Sequence, residues 1–481
     1  MLFNSYIFIF AFLPFTIIGY FLLNKFKLYK ISEYFLIIMS LIFYGYFNIS
    51  YLPIIIFSII FNYFIGKKII KDNKKYILVI AIVMNLFVLG YYKYMGFFIE
   101  NINILFNKDY FVANILLPLG ISFFTFQQVS YVVDCYKNKI NNYSFREYAL
   151  FVTFFPQLIA GPIVLHNETI PQFNDQTKKS FNHDNFACGL MAFSRGMAKK
   201  VIIADSLGNI VNYGFSNLGN LTSTVAIITM LCYTLQIYYD FSGYCDMATG
   251  IGKMFNIDIP MNFNSPYKAL SVTDFWKRWH ITLTRFLKTY VYIPLGGNRK
   301  GLVRTYINLF TVFFVSGLWH GANYTFIVWG ALHGIMMIIE RIFNKQIEKF
   351  HPAFKWMYTF IFVNIAFVFF RANSISEGLL LVKEILMFDF SSISIDIVNL
   401  LNYDLIQLIS EFTGGIGYYI YNNLGLFTLI TILSATLLMK NTNEKINEFK
   451  PTLFNAIIYS IILFYSIISF SGISTFLYFN F

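Results

Sequence analysis

The residues best suited to chemistry lie in one stretch, from Pro260 to Gly334. It contains three of the six histidines and four of the five tryptophans, and eight basic residues lie between Lys268 and Arg304. Imidazole titrates near neutral pH and is the side chain that most often serves as a general base. Because the flanking chain is mostly apolar, this concentration of polar groups indicates a functional site.

His320 is the first candidate for catalysis. It lies in SGLWHGANY between two apolar segments, where Gly317 and Gly321 allow backbone and ligand to approach closely. Ionisable groups in membrane segments commonly mark a substrate or proton route, although an isolated histidine can also simply hydrogen-bond a neighbouring helix. We expect His320 to act as a general base.

His280 is the second candidate. In FWKRWHITL, Trp276, Trp279 and His280 stand at i, i+3 and i+4, a spacing that predicts one face of a helix. The same segment also suits an amphipathic helix at the membrane surface. Two histidines in one polar stretch favour the catalytic interpretation.

Other polar residues are expected to support the site. His333 follows His320 by thirteen residues and fits either a supporting or, preferably, a helix-packing role. Asp240 and Asp246 close an apolar run; we expect them to cap or to pair with a basic neighbour such as Arg278 or Arg285. Because they stand six residues apart, a carboxylate dyad on one helix face is unsupported.

Several other chemistries lack their sequence signals. The four cysteines form no C-x-x-C, which argues against both a zinc site and a disulfide framework. The chain has no H-E-x-x-H, no phosphate-binding G-x-x-x-x-G-K-[ST] and no G-x-S-x-G. We therefore expect no metal.

Composition identifies the elements that must position these residues as membrane helices. Of the 481 residues, 57% are hydrophobic and 12% charged, against about 25% charged in soluble domains. The mean hydropathy is +0.60. A net charge of +12 would suggest nucleic acid in a soluble protein, but here the basic residues cluster in short loops, as in membrane topology signals. We expect a lipid bilayer and no nucleic acid as partner.

The predicted fold is all-α and integral to the membrane, with about 11 transmembrane helices plus re-entrant segments. Apolar runs predict spans at about 4–23, 32–47, 52–66, 76–95, 112–134, 222–240, 305–319, 324–340, 356–371, 416–439 and 453–475. Breakers interrupt 148–165, which predicts a broken or re-entrant helix, and charges in 186–212 predict an interfacial one. The whole chain, 1–481, reads as one membrane domain, with N-terminal spans at 1–147, a catalytic core at 148–340 and C-terminal spans at 341–481.

The loop charges give an orientation and raise a conflict. Basic loops fall on every second connection, which places the N-terminus outside and the basic stretch 268–304 in the cytoplasm. His320 then lies toward the outer side and His280 toward the cytoplasmic side. For the two to meet, one segment must be re-entrant, and 281–295, with Pro294, is the candidate.

Longer motifs resemble one family. The run QIYYDFSGYCDMATGIGKMFNIDIPMNFNSPYKALSVTDFWKRWHITLTRFLKTYVYIPLGGNR, followed by SGLWHGANYTFIVWGALHG, is similar to the membrane-bound O-acyltransferase (MBOAT) family. SFFTFQQVSYVVDCYK, FFPQLIAGPIV, FVFFRANSISEGL and the terminal FLYFNF resemble its bacterial branch containing the alginate O-acetylation protein AlgI. The likeness covers nearly the whole chain.

The resemblance implies a helical fold around a central funnel and a function in acyl transfer. It carries the family's histidine onto His320, beside Trp319, and its second polar position onto His280. It implies transfer of an acetyl group from a cytoplasmic thioester such as acetyl-CoA, with no tightly bound cofactor, to an extracytoplasmic polysaccharide. It also implies an extracytoplasmic partner of the SGNH-hydrolase type and a bacterial cell (inner) membrane location.

Physical reasoning adds roles to this expectation and keeps two alternatives. Lys277, Arg278 and Arg299 could attract an anionic donor, or serve only topology and lipid contact. His280 or a backbone N–H between Gly317 and Gly321 could stabilise an oxyanion. One alternative is D-alanyl transfer to teichoic acid; the other, a transporter or flippase, is disfavoured because the hydropathy shows no inverted repeat.

Overall fold

Every regular element in the described part of the chain is a helix. The structure, a computed structural model, describes residues 1–112, 115–140, 142–390, 400, 415–470 and 476–477. The α-helices are α1 Leu13–Lys25, α2 Tyr29–Gly45, α3 Leu52–Asp72, α4 Lys75–Phe106, α5 Ile121–Tyr136, α6 Phe145–Thr153, α7 Phe155–Leu158, α8 His166–Asn174, α9 His183–Met197, α10 Asp205–Ser216, α11 Ser223–Met254, α12 Val272–Arg278, α13 Ile281–Leu287, α14 Leu302–His320, α15 Tyr324–Ile342, α16 Asn344–Ile347, α17 Pro352–Arg371, α18 Ile375–Leu386, α19 Gly415–Leu438, α20 Thr442–Glu448 and α21 Leu453–Ile468. Wider π-helical turns occur at Phe8–Phe12, Ala198–Ala204 and Lys288–Tyr292, and 3-10 turns at Ile49–Tyr51, Gln176–Lys179 and Pro266–Lys268.

The predicted all-helical membrane architecture is confirmed in its main feature. Six helical segments of the described chain are long and apolar enough to cross a membrane: Phe8–Lys25, Ile49–Asp72, Lys75–Phe106, Leu302–His320, Tyr324–Ile342 and Pro352–Arg371. Two shorter apolar helices, Phe427–Leu438 and Leu453–Ile468, follow. The total of about eleven spans stays a prediction.

Helices α9 and α11 pack closely, because glycines remove the side chains between them. A Cβ atom on Gly189 would lie 2.5 Å from the carbonyl oxygen of Gly250, and one on Gly196 equally close to that of Gly243. The order of these contacts makes the helices antiparallel. The segment predicted to be interfacial, 186–212, is helical: α9 packs against α11, and the charges after it face α11; its position at the membrane interface stays a prediction.

The two spans predicted on either side of His320, 305–319 and 324–340, are confirmed as helices and form a tight hairpin. Helix α14 ends at His320 and α15 begins at Tyr324, where the side chain of Asn323 accepts the backbone N–H of Thr325 at 3.0 Å. Close approach of the two helices requires glycine, since a Cβ on Gly317 would lie 2.3 Å from a carbonyl oxygen of α15. The turn therefore holds His320 at a fixed place between the helices.

Two further predictions concern broken helices. The break in 148–165 is confirmed, because α6 and α7 are separated at Phe154, just before Pro156. The segment 281–295 is also interrupted: α13 passes into a π-helical turn and then into tight turns at Gly296 and Gly297, both with positive φ. In contrast, the span predicted at 222–240 runs on to Met254 as one 32-residue helix.

Candidate active site

His280 lies at a sharp bend between α12 and α13. Its φ of 43° falls in the left-handed region, a conformation that costs a non-glycine residue about 1–3 kcal/mol. Asn262 holds the bend, because its carbonyl accepts the N–H of Ile281 at 3.0 Å and its side-chain Oδ1 accepts the N–H and hydroxyl of Thr282 at 3.2 and 2.9 Å. The loop at Asn262 thus fixes the position of His280.

The single helical face predicted for Trp276, Trp279 and His280 is wrong. Helix α12 ends at Arg278, and Trp279 already has extended backbone. Consequently Trp276 packs against His333, with ring centroids 5.1 Å apart, whereas His280 packs on α11. The spacing suited a helix, but the bend separates the side chains.

The hydrogen bonds of Asn262 fix the tautomer of His280. The Oδ1 atom of Asn262 accepts the backbone N–H of Thr282, which identifies it as oxygen, and it lies 3.2 Å from Nδ1 of His280. Because a carbonyl oxygen only accepts, Nδ1 must carry the proton. Neutral His280 therefore presents a lone pair, not a donor, at Nε2.

His320 lies among aromatic rings and close to His280. Its ring centroid is 4.9 Å from Trp319, 5.0 Å from Trp329 and 5.1 Å from Phe370, and 6.5 Å from His280. Both histidines are almost fully buried. The structure thus brings together the two histidines that loop charges placed toward opposite sides.

Lys93, on α4, secures the helix end that carries His320. Its ammonium donates to the carbonyl oxygens of Trp319 at 2.6 Å and His320 at 2.9 Å. Next to it, the hydroxyl of Tyr94 donates to the carbonyl of Leu318 at 2.6 Å. A cation at a helix C-terminus satisfies carbonyls that have no partner within the helix and opposes the negative end of its dipole. Lys93 was not among the predicted site residues, although a lone charge in an apolar run indicates a functional position.

His333 belongs to an aromatic layer beside the histidine pair. The indole N–H of Trp276 donates to Nδ1 of His333 at 3.1 Å, so the remaining proton of neutral His333 is on Nε2. Trp329 lies 5.0 Å from both His320 and His333, measured between ring centroids. These contacts fit the packing role that was preferred for His333.

Asp240 and Asp246 form buried ion pairs, but not with the partners predicted. Asp240 pairs with Lys200 and Asp246 with Lys199, each at 2.6 Å. The lysines follow α9, whose close packing brings them onto α11, where both carboxylates face them. The expected partners have carboxylates of their own, since Arg278 pairs with Asp274 at 3.0 Å and Arg285 with Glu168 at 2.5 Å.

The three residues predicted to attract the donor lie at the surface. Lys277 and Arg299 are exposed, and Arg278 is half-buried.

Candidate metal ligands are scattered: within the described residues, no three His, Cys, Asp or Glu side chains are grouped so as to hold a metal ion.

Two adjoining cavities reach the histidine centre. A narrow one, about 30 Å³, is lined by His320, Trp319, Lys93 and Ser122. A larger one, about 640 Å³, shares Lys93 and Leu117 with it and continues along the turn after His320. The larger volume is that of a small-molecule site. His320 lines the narrow cavity, and Gly321, the next residue, lines the larger one.

A buried histidine pair, one at the end of a candidate membrane helix and the other at the bend between two short helices, is suited to proton transfer on a bound substrate. Residues 5–376 match the model of MBOAT, the membrane-bound O-acyltransferase family. The chain therefore belongs to this family, and it is a multi-pass membrane O-acyltransferase.

Individual relatives share much of the chain. The peptidoglycan O-acetyltransferase of Helicobacter pylori is 45% identical over 417 residues, covering 80% of this chain and 79% of the relative. The probable alginate O-acetylase AlgI of Pseudomonas aeruginosa is 38% identical over 421 residues, covering 85% and 79%. The teichoic acid D-alanyltransferase of Bacillus subtilis is 26% identical over 279 residues, covering 54% and 70%.

Proposed function

We propose that this enzyme O-acetylates an extracytoplasmic polysaccharide with acetyl groups from a cytoplasmic thioester such as acetyl-CoA. The observation that carries the proposal is the placement of His320, which borders a cavity on one side and His280 on the other. The relatives named for O-acetylation of peptidoglycan and for alginate O-acetylation support the choice of acetyl and of a glycan.

In the proposed reaction His320 is the general base. It accepts the proton of the acceptor hydroxyl as that oxygen attacks the thioester carbonyl carbon. The C–S bond then breaks, and protonated His320 returns the proton to the leaving thiolate, so that an O-acetyl ester and a free thiol result. Base catalysis of this kind contributes about 10²–10⁴-fold.

The neighbouring rings supply complementary roles. The neutral ring of His280, whose centroid lies 6.5 Å from that of His320, can stabilise His320 in its protonated form. The indole N–H groups of Trp319 and Trp329 have no hydrogen-bond partner among the described residues, and both rings contact His320. They are donors available to a developing oxyanion, a role that neutral His280 cannot fill from Nε2.

The donor and acceptor approach from opposite sides in this proposal. Exposed cations such as Lys277 and Arg299 raise the local concentration of an anionic donor at the cytoplasmic face. The chain then resides in the inner membrane of a bacterium. An SGNH-type partner outside the membrane would supply the acceptor hydroxyl in this reaction and then pass the acetyl group on to the polysaccharide.

D-alanyl transfer is the second candidate. A teichoic acid D-alanyltransferase is among the relatives, but it is 26% identical over 54% of this chain. The lower identity and shorter match favour acetyl transfer. Because the chain belongs to an acyltransferase family, acyl transfer is favoured over the transporter alternative.

The test is His320→Ala with base-labile acetate on surface glycans as the readout. Without the base, the rate of acetyl transfer should be about 10²–10⁴-fold lower. We therefore expect the acetate on surface glycans to fall to background. His183→Ala is the matched control, because His183 is exposed at the start of α9, and it should retain wild-type acetate.

Membrane levels of both variants must equal those of wild type for the comparison to count. Acetate that persists with His320→Ala at equal protein would exclude His320 as the base. If ester-linked D-alanine, not acetate, disappears from the same samples, the second candidate replaces the first.

A further inference from the structure

A cavity that shares no lining residue with the two at the histidine centre lies at the end of α1. Its volume is about 500 Å³, and it is formed by the last turns of α1, the start of α2 and the segment 176–181. Since α1 belongs to a candidate membrane span that ends at Lys25, the cavity lies where that span ends. By the loop charges this is the cytoplasmic face.

The lining of this cavity carries positive charge. Three lysines, Lys25, Lys27 and Lys179, contribute to it, and none of its described lining residues is an aspartate or glutamate. Lys179 is already paired with Glu33 at 2.9 Å. Lys25 and Lys27 are exposed, and in the described part of the chain no carboxylate lies within ion-pair distance of either. The cavity therefore offers two cations to an anionic ligand.

Asn24 points independently to a ligand. It lines the cavity and is only 4% exposed. The hydroxyl of Ser32 donates to Oδ1 of Asn24 at 2.6 Å, which leaves Nδ2 as a buried donor with no hydrogen-bond partner among the described residues. Tyr20, one turn earlier on α1, interacts with this amide but does not meet it in hydrogen-bond geometry. An acceptor oxygen, such as one of a phosphate group, would satisfy the donor.

Lys27 has a backbone conformation that glycine usually adopts. Its φ is 61°. The N–H of Leu28 donates to the carbonyl of Leu23 at 3.0 Å, and the N–H of Lys27 donates to that of Asn24 at 2.9 Å. This is the Schellman motif, with Lys27 at the left-handed position where glycine is unstrained. The turn gains nothing from a lysine, so the residue is explained by its side chain and not by its backbone.

The rest of the lining is apolar and continues onto the surface of α1. Ile18, Phe21 and Leu22 contribute to it, and Ile18 and Leu22 are exposed. The ring of Phe21 packs on that of Phe181, with centroids 5.2 Å apart, and so joins α1 to the segment 176–181. Exposed apolar side chains on a membrane helix contact acyl chains. A soluble phosphate ester makes no use of this surface, whereas a phospholipid contacts both the cations and the apolar side chains.

From this arrangement we propose that the cavity binds one anionic phospholipid of the cytoplasmic leaflet. Its phosphate lies between Lys25, Lys27 and Nδ2 of Asn24. One acyl chain extends along Ile18 and Leu22. The negative charge of the leaflet supplies the ligand at this face, and the bound lipid stabilises the fold by joining α1 to the neighbouring segment. This inference does not depend on the proposed function.

The test measures lipid binding by the full-length protein in detergent, with native mass spectrometry and thermal unfolding as readouts. Wild type should retain one phosphatidylglycerol in preference to phosphatidylcholine, and phosphatidylglycerol should raise its unfolding temperature. Each lysine near an anionic lipid contributes about fivefold in affinity. Lys25→Gln combined with Lys27→Gln should therefore weaken binding of phosphatidylglycerol about 30-fold and leave binding of phosphatidylcholine unchanged.

Lys71→Gln combined with Lys75→Gln is the matched control. Both lysines are exposed between α3 and α4 and do not line this cavity, and the loop charges place them on the same face. Equal weakening by this pair would show that general surface charge binds the lipid, and it would overturn the inference. Equal binding of the two lipids by wild type would overturn it as well.

Lys27→Gly separates loss of the site from loss of the fold. Glycine relieves the left-handed strain, so the lipid-free variant should be at least as stable as wild type. Its gain in unfolding temperature from phosphatidylglycerol should nevertheless be smaller. A gain equal to that of wild type would contradict the assignment of the phosphate to Lys27.

Soluble phosphates distinguish the source of the anion. Glycerol 3-phosphate carries the same phosphate without acyl chains, so it should neither raise the unfolding temperature nor displace phosphatidylglycerol. If it does so in a manner that depends on Lys25 and Lys27, the site is one for a soluble phosphate ester and the lipid assignment is overturned. Protection by coenzyme A and not by the lipid would also overturn it, and would assign the cavity to the donor.

Discussion

Helices α3 and α4 and the region around His320 both bury polar side chains, but they satisfy them differently. Between α3 and α4, Asn62 and Asn85 exchange two side-chain hydrogen bonds, of 3.0 and 2.7 Å, and each also donates to its own helix. Around His320, the indole N–H groups of Trp319 and Trp329 lack a partner among the described residues.

This difference separates structural polarity from functional polarity. Unpaired buried donors cost free energy, so a fold retains them where a ligand or transition state will use them. The asparagine pair has no such capacity left and can only join two helices. If this comparison is correct, changes around His320 will lower mainly the activity, and changes at the asparagine pair will lower mainly the stability.

The largest effect is expected at His280. Replacing it with alanine removes the imidazole that packs beside His320, and we expect kcat to fall about 10²–10⁴-fold. Asn262→Ala removes the acceptor that keeps the proton of His280 on Nδ1. It should lower kcat less than His280→Ala does. Asn262→Asp keeps an acceptor for Nδ1 and should restore much of the rate.

The pH–rate profile distinguishes this positioning role from a structural one. If Asn262 only supports the bend, then Asn262→Ala will lower the unfolding temperature while the shape of the profile stays that of wild type. An unfolded variant would also show a lower membrane level and altered size-exclusion behaviour, which do not depend on activity. Wild-type kcat in His280→Ala would remove His280 from the mechanism.

A smaller effect is expected at Glu340, on α15, which caps α12. One carboxylate oxygen accepts the N–H of Val272 at 2.5 Å and the hydroxyl of Tyr358, and the other accepts the N–H and hydroxyl of Thr273. In Glu340→Gln an amide NH₂ must face a backbone N–H. We expect a loss of about 1–3 kcal/mol in the free energy of unfolding and a moderate fall in kcat, because α12 carries Trp276.

Thermal unfolding in detergent and kcat on the same preparation measure both changes. Glu348→Gln is the control, since Glu348 is exposed just beyond α16. A Glu340→Gln protein as stable as wild type would show that the cap is dispensable.

The parts of the fold that follow from local sequence were predictable. Apolar length predicted the six helices of the described chain that are long enough to cross a membrane. Pro156 predicted the break between α6 and α7, and the short gap between two apolar runs predicted the turn near His320. These features depend on residues within a few positions of one another, so that a periodic pattern or a helix breaker is enough to indicate them.

The errors concern contacts between distant parts of the chain. The bend at His280 depends on Asn262, eighteen residues earlier, so helical spacing alone gave the wrong face. Asp240 and Asp246 pair with lysines some forty residues away because α9 packs against α11. Likewise, Lys93 reaches His320 across 227 positions, and no local pattern encodes such a contact.

The smallest effect on activity is expected for Asn62 and Asn85. Each single change to leucine leaves the other amide buried without its partner and should destabilise the protein. The double change removes both polar groups, so it should recover part of that loss, with a coupling energy of about 0.6–1.7 kcal/mol, the range for hydrogen bonds between membrane helices.

The kcat of the double variant is the more decisive of the two measurements. Both amides bond to each other between α3 and α4, and changes at distant sites usually act independently. At a temperature where all variants are folded, the double variant should therefore keep kcat within about twofold of wild type. A tenfold fall in a stable double variant would mean that α4, which also carries Lys93, transmits changes at Asn85 to the helix end at His320. The two regions would then act as one unit, and the division between structural and functional polarity would fail at α4.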